Sequence, residues 1–109
     1  SIYSRLRIMN PAPFACYLDF GQGHVLSSSP ERFIKIEEDR IETRPIKGTR
    51  PRGKTPAEDQ ANKQELLDSE KDKSELLMIV DLERNDLSRV SKTGTVKVPE
   101  LFYLEEYAT

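Results

Sequence analysis

The chain contains one cysteine, one histidine and no tryptophan in 109 residues. A lone thiol, Cys16, excludes an internal disulfide, so the fold makes no demand for an oxidising compartment. It lies in Phe14-Ala15-Cys16-Tyr17-Leu18, which suits a small buried hydrophobe better than a nucleophile. His24 follows a turn glycine and has no acid beside it in sequence, which supports neither a nucleophile triad nor a histidine metal site. Long apolar runs are missing: the longest, residues 14–18 and 76–80, are five residues each, far below the ~20 needed to span a bilayer. No signal-peptide core opens the chain. Gly21-Gln22-Gly23 lacks the third glycine and following helix of a dinucleotide loop, and no Walker pattern occurs. Charge of one sign is scarce too: the net charge is −2, giving no field to gather nucleic acid or an anionic membrane. These absences predict a soluble cytoplasmic protein, or a piece of one, with no nucleic-acid partner and no membrane partner.

What is present is periodic. Apolar residues make up 36% and charged residues 33%, enough for one domain with a thin core. Ile2, Leu6 and Met9 stand at helical spacing, with no obvious cap before them, and Asn10-Pro11 stops the run. Residues 13–20 and 24–28 flank Gly21-Gln22-Gly23 as a hairpin. Residues 32–37 and 40–44 alternate with period two around Glu38-Asp39, predicting one buried and one wet face. Four strands in meander order predict a single antiparallel sheet. Thr55-Pro56-Ala57-Glu58 is a capping box with proline at the first helical position, opening a helix with Ala57, Ala61 and Leu66 on its inner stripe. Ser69 starts a second helix, expected to reach about Leu87 and to bury Leu76, Ile79, Val80 and Leu87. Val96-Lys97-Val98 and Phe102-Tyr103-Leu104 read as strands. The fold class is therefore α+β, an antiparallel sheet packed with helices. Both ends read as cut, so residues 1–109 are expected to be a single internal fragment of a larger domain.

Three side chains carry candidate chemistry. Lys47 ends a strand-like segment, Arg44-Pro45-Ile46-Lys47-Gly48-Thr49, just before a glycine- and arginine-rich loop. An amine with a reference pKa of ~10.4 is a poor nucleophile until desolvation or nearby cations free it. Pro45, Ile46 and apolar strand partners predict that burial, and Arg44 and Arg50 add repulsion. The alternative is an ordinary surface lysine. Glu31, sixteen residues earlier in the turn-prone Ser29-Pro30-Glu31-Arg32, suits a proton donor to a leaving oxygen, or else a turn carboxylate paired with Arg32. Glu75 shares a helix face with Asp72 at i, i+3, as ligands of a hard cation such as Mg²⁺, or else as acids of a solvated first turn. Arg50, Arg52 and Lys54 bunch, but Glu58 and Asp59 follow at once, so a solvated loop is read in preference to a phosphate patch. Asp81, Arg84, Asn85 and Asp86 are read as a hydrogen-bonded structural network.

Together these stretches resemble the chorismate-utilising enzymes. The resemblance rests on Asn10-Pro11-Ala12-Pro13-Phe14, Ser28-Ser29-Pro30-Glu31-Arg32-Phe33, the run from Arg44 through Lys47-Gly48-Thr49 to Gly53, the run from Glu75 to Asp86, and Val96-Lys97-Val98-Pro99-Glu100. It implies a fold of orthogonal sheets covered by helices. Lysine within Pro-Ile-x-Gly-Thr resembles the para-aminobenzoate (aminodeoxychorismate) synthase component I branch, whereas anthranilate-forming members typically carry alanine there. By that resemblance Lys47 attacks ring carbon 2 of chorismate, Glu31 protonates the departing ring-carbon-4 hydroxyl, and ammonia then displaces the lysine. Gly48 and Thr49 contact the substrate carboxylate region, and Glu75 ligates Mg²⁺. Asp72 stands where relatives often have a glutamate that shares that role. A glutamine amidotransferase subunit or domain supplies the ammonia, in folate biosynthesis. Relatives run to several hundred residues, and their C-terminal part supplies further metal and substrate contacts. The isolated chain is accordingly expected to be inactive and to self-associate through an uncovered sheet face. Two other readings stay open: anthranilate synthase component I, and a non-catalytic piece that binds a small aromatic acid or amino acid through residues 10–18.

Overall fold

The computed structural model describes residues 1–107, and the contacts within it divide the chain into two compact units. The first runs from Ser1–Arg44, joined by residues 106–107. It begins with α1 (Ile2–Met9), followed by β1 (Phe14–Asp19), β2 (His24–Ser29), β3 (Arg32–Glu37) and β4 (Arg40–Arg44). Ser1 caps α1 by accepting from the Ser4 N–H at 3.2 Å, a cap that the sequence alone did not disclose. The half-buried residues of α1 are Tyr3 and Leu6, whereas Ile2 and Met9 face solvent.

β1 and β2 pair antiparallel from Phe14↔Ser29 to Asp19↔His24. Gly21 turns the hairpin with a φ of +78°, a conformation that glycine adopts without Cβ strain. β3 and β4 pair around the tight Glu38-Asp39 turn, with a register shift between Arg32 and Lys35. The hairpins form two separate two-stranded sheets, not the single meander sheet expected. The reason lies between β2 and β3. Pro30 has no N–H to give a ladder, and the Ser29 hydroxyl both accepts from the Glu31 N–H and donates to the Glu31 carbonyl, at 3.2 Å each. The chain bends there instead of pairing. The alternating pattern of β3 does make a strand, yet no face of it is buried: Phe33 is 87% exposed and Ile36 64%.

The second unit is Pro45–Glu105. A loop leads into α2 (Pro56–Asp68), and Ser69 both ends α2 and caps α3 (Glu70–Ser88). The capping box forms in a shifted version. Thr55 accepts from the Glu58 N–H at 3.2 Å, while the Glu58 carboxylate reaches back to the Lys54 N–H at 2.9 Å. The inner stripe of α3 is the one expected, with Leu76, Ile79, Val80 and Leu87 half-buried. None is fully buried, and no described residue of the chain is. On α2 the expectation holds for Leu66 and fails for Ala57 and Ala61, which are exposed; the inner face is Asp59, Asn62, Lys63 and Leu66. Residues 96–98 and 102–104 form no strand, because no ladder partner meets them among the described residues. No helix among the described residues is long and apolar enough to cross a membrane.

Candidate active site

Lys47, Gly48, Thr49 and Glu75 all belong to the second unit, and Glu31 belongs to the first. Gly48 is the structural pivot. Its φ is +79°, and a Cβ built on it would lie 2.9 Å from Asp72 Cγ and 2.9 Å from Leu66 Cδ1. Glycine at this position therefore meets two requirements, a left-handed backbone and a close approach to the helices. The Lys47-Gly48-Thr49 segment is in consequence seated on the first turn of α3 and the last turns of α2.

The loop that follows is pinned by charge. The Arg50 guanidinium donates to Glu65 of α2 at 2.8 Å and to Asp72 of α3 at 3.0 Å, joining the two helices. Arg52 forks onto both oxygens of Asp59, at 2.9 and 3.1 Å, the bidentate geometry favoured for arginine and carboxylate. The Gly53 N–H donates to the same carboxylate at 2.8 Å, and Asn62 donates to the Pro51 carbonyl at 3.0 Å. Gly53 leaves no room at all: a Cβ there would fall 2.0 Å from the Asp59 nitrogen. The loop is exposed at Pro51, Arg52 and Lys54, as a solvated loop would be, but Arg50 and Arg52 act in it as staples. Arg52, then the Gly53 N–H, lower the Asp59 carboxyl to about 2. Ser69, then Arg50, hold Asp72 below the ordinary carboxylate range, and Glu65, then Asp72, raise Arg50 further. The signal missed in sequence was polar: Asp59, Asn62 and Lys63 share one helix face, three and four residues apart, opposite a loop rich in arginine.

The expected burial of Lys47 is not found, for Lys47 and Thr49 are both exposed. Arg44 and Arg50 do not stand free to repel it, since each is engaged by acids. Glu75 is half-buried one turn beyond Asp72 and carries no hydrogen bond or ion pair from another described residue. Among the described residues no three acids, histidines or cysteines gather as a metal cluster. In the first unit, Glu31 is exposed at the rim of an open hollow with Phe14, Ser29, Arg32 and Phe33. Tyr107 donates to the Pro30 carbonyl at 3.2 Å and so braces the turn that carries it. Arg32 does not pair with Glu31; it bonds Glu42 and lies over the Phe14 ring at 5.2 Å. His24 does have an acid, Asp19, its register partner at 3.5 Å, together with the Tyr17 hydroxyl at 2.7 Å. Asp81, Arg84, Asn85 and Asp86 are exposed rather than a buried network, with one ion pair, Arg84 to Asp81 at 3.8 Å.

All of residues 1–109 match the family model described as chorismate binding enzyme. The chain belongs to that family. Among curated members, it is 58% identical to the aminodeoxychorismate synthase of Streptomyces pristinaespiralis over 98% of this chain, which is 15% of that protein. It is 56% identical to the Streptomyces griseus enzyme of the same name, with the same coverage. To anthranilate synthase component 1 of Aquifex aeolicus it is 52% identical over 99% of this chain and 22% of that protein. The chain thus spans less than a quarter of the length of these family members. An α+β arrangement of small antiparallel sheets and helices is what a fragment of the chorismate binding enzymes displays here.

Proposed function

We propose that this chain is the nucleophile-bearing middle portion of an aminodeoxychorismate synthase component I, which converts chorismate to 4-amino-4-deoxychorismate. The observation that carries the reading is Lys47 itself, an amine set in Pro45-Ile46-Lys47-Gly48-Thr49 on a segment that Gly48 and Arg50 fix against two helices. The identities of 58% and 56% to synthases of that name support it.

The steps follow from the side chains. The Lys47 nitrogen attacks ring carbon 2, both conjugated ring double bonds shift by one position, and the carbon–oxygen bond at carbon 4 breaks. Glu31 delivers a proton to the departing hydroxyl, which leaves as water. Ammonia then adds at carbon 4, both ring double bonds shift back, and the carbon 2–nitrogen bond breaks to release the lysine amine. Gly48 and Thr49 hold the substrate carboxylate region. Lys47 is exposed in this chain, so enclosure of the nucleophile is left to the rest of the parent protein. Mg²⁺, when bound, neutralises substrate carboxylate charge. Glu75 fits as its ligand, being a half-buried carboxylate without a protein partner among the described residues, and Mg²⁺ takes only one or two protein carboxylates. A glutamine amidotransferase subunit or domain supplies the ammonia, in a cytoplasmic route to folate, and the chain by itself is inactive.

A second reading, anthranilate synthase component 1, draws on the 52% and 50% identities to proteins of that name. One substitution separates them. In the full-length protein supplied with chorismate and ammonia, Lys47→Ala is expected to lower formation of the 4-amino product by at least about 1,000-fold, in the range that loss of a covalent nucleophile produces. Anthranilate as the wild-type product, formed unchanged by the variant, would replace the first reading with the second.

A further inference from the structure

We infer that Arg50 and Asp72 are a positioning pair for the reactive segment, and that Asp72 serves the arginine rather than the metal. The inference rests on the reading of Lys47 as nucleophile and adds to it how that nucleophile is held. Three geometric facts carry it. Arg50 lies three residues after Lys47 and spans Glu65 and Asp72 at 2.8 and 3.0 Å, so one side chain ties the reactive segment to both helices. Asp72 is the wall against which Gly48 is pressed, with Cγ and Cβ 2.9 and 3.0 Å from where a glycine Cβ would stand. Both members are largely withdrawn from solvent, at 25% side-chain exposure for Arg50 and 17% for Asp72. A carboxylate in that position fixes the backbone on one side through contact and on the other through the guanidinium.

The pair also divides the work of the two acids on α3. Asp72 and Glu75 stand one turn apart, the spacing that suggests a shared cation. Yet Asp72 Oδ2 is committed to Arg50, and its backbone N–H is bonded to the Ser69 hydroxyl at 3.3 Å. Glu75 has no such commitment among the described residues. Turning Asp72 toward a cation would release Arg50 from α3 and remove the support beneath Gly48. Arginine is the fitting residue because its planar fork reaches two carboxylates at once, whereas a lysine ammonium is a single point charge.

The test uses the full-length protein. Its readouts are steady-state kinetics with chorismate and ammonia, and calorimetric titration of Mg²⁺ into the enzyme. Arg50→Met and Arg50→Lys are each expected to lower kcat about 100-fold, the loss a misplacement near 1 Å produces, with KM for chorismate within about threefold. The near-isosteric Asp72→Asn is expected to lower kcat about tenfold and to leave the Mg²⁺ dissociation constant within about twofold. It also keeps the test alive should the Arg50 variants fail to fold. Weakening of Mg²⁺ by tenfold or more in Asp72→Asn, the loss that removing even a supporting ligand causes, would overturn the inference. Full recovery of kcat by Arg50→Lys would do so as well. The Mg²⁺ arm does not depend on which amine product forms, so failure of the nucleophile assignment at Lys47 is separately visible.

Discussion

In the first unit the chain is held by backbone ladders that leave side chains bare. In the second, side chains do the holding and the backbone of the loop has almost no ladder of its own. β1 and β2 stay in register over six residue pairs, yet Leu18, Val25, Phe33 and Ile36 remain exposed. Residues 49–54 have no strand partner, and side-chain hydrogen bonds involving Arg50, Arg52, Glu58, Asp59 and Asn62 fasten them to α2 and α3. A ladder fixes strands to one another whatever their side chains are, so its faces are free for other polypeptide to cover. The Lys47-Gly48-Thr49 segment, which the proposed function makes reactive, is instead fixed relative to its helices by charge-assisted bonds at defined distances.

Substitution of glycine breaks this contrast most sharply. Gly53→Ala drives a Cβ onto backbone atoms of α2, 2.0 Å from the Asp59 nitrogen, where no rotamer can give way. It is expected to destabilise the full-length protein by about 3 kcal/mol or more, read by denaturant unfolding. Gly23→Ala, on the hairpin, meets nothing within 4 Å and is expected to fall within about 0.5 kcal/mol of wild type. Similar losses at both glycines would mean that the two units are not held differently. A smaller effect tests the helix start beneath the loop. Thr55→Ala removes the oxygen that accepts from Glu58 and is expected to cost about 1 kcal/mol in the same assay. Ser1→Ala at the shorter α1 is expected to cost less than half of that.

Sequence periodicity located the helices, the hairpins and the capping box because each is a local decision, taken within one turn or one strand pair. Ser69 could be read as a cap because an acid-rich turn follows it. The single sheet was misread because pairing of β2 with β3 depends on a two-residue bend, which Pro30 and the Ser29 hydroxyl decide. The strands expected at 96–98 and 102–104 failed for the opposite reason, since apolar alternation states an inclination and a partner makes the strand. At the candidate site, motif spacing points to Lys47, Gly48 and Glu75, but not to the staple partners Arg50, Asp59 and Glu65. Their signal lies in which acid meets which arginine across 15 to 22 residues of chain, and charge runs read alone suggest solvent.

The smallest expected effect is a matter of pH, and it sharpens the contrast between ladders and staples. The Asp59 carboxyl is held at about 2 by Arg52 and the Gly53 N–H, against an ordinary value near ~3.9 in an unfolded chain. The folded form therefore favours the charged carboxylate. Its contribution is fully present above about pH 4 to 5 and is lost as pH falls from there through about 2. Glu42 in the first unit is also lowered: burial acts to raise it, but hydrogen bonds from Arg32 and Arg44 outweigh that. Protonating Glu42, however, leaves the β3–β4 ladder bonds in place. Hydrogen exchange on the full-length protein should show peptides over residues 49–54 losing protection between pH 5 and 2, once intrinsic exchange rates are corrected for. Peptides over β1 and β2 should hold theirs in the same window. Asp59→Asn should abolish the pH dependence at the loop, because a neutral amide keeps part of the hydrogen bonding and has no proton to gain. Equal loss of protection in both regions would place the acid sensitivity outside the Arg52–Asp59 fork.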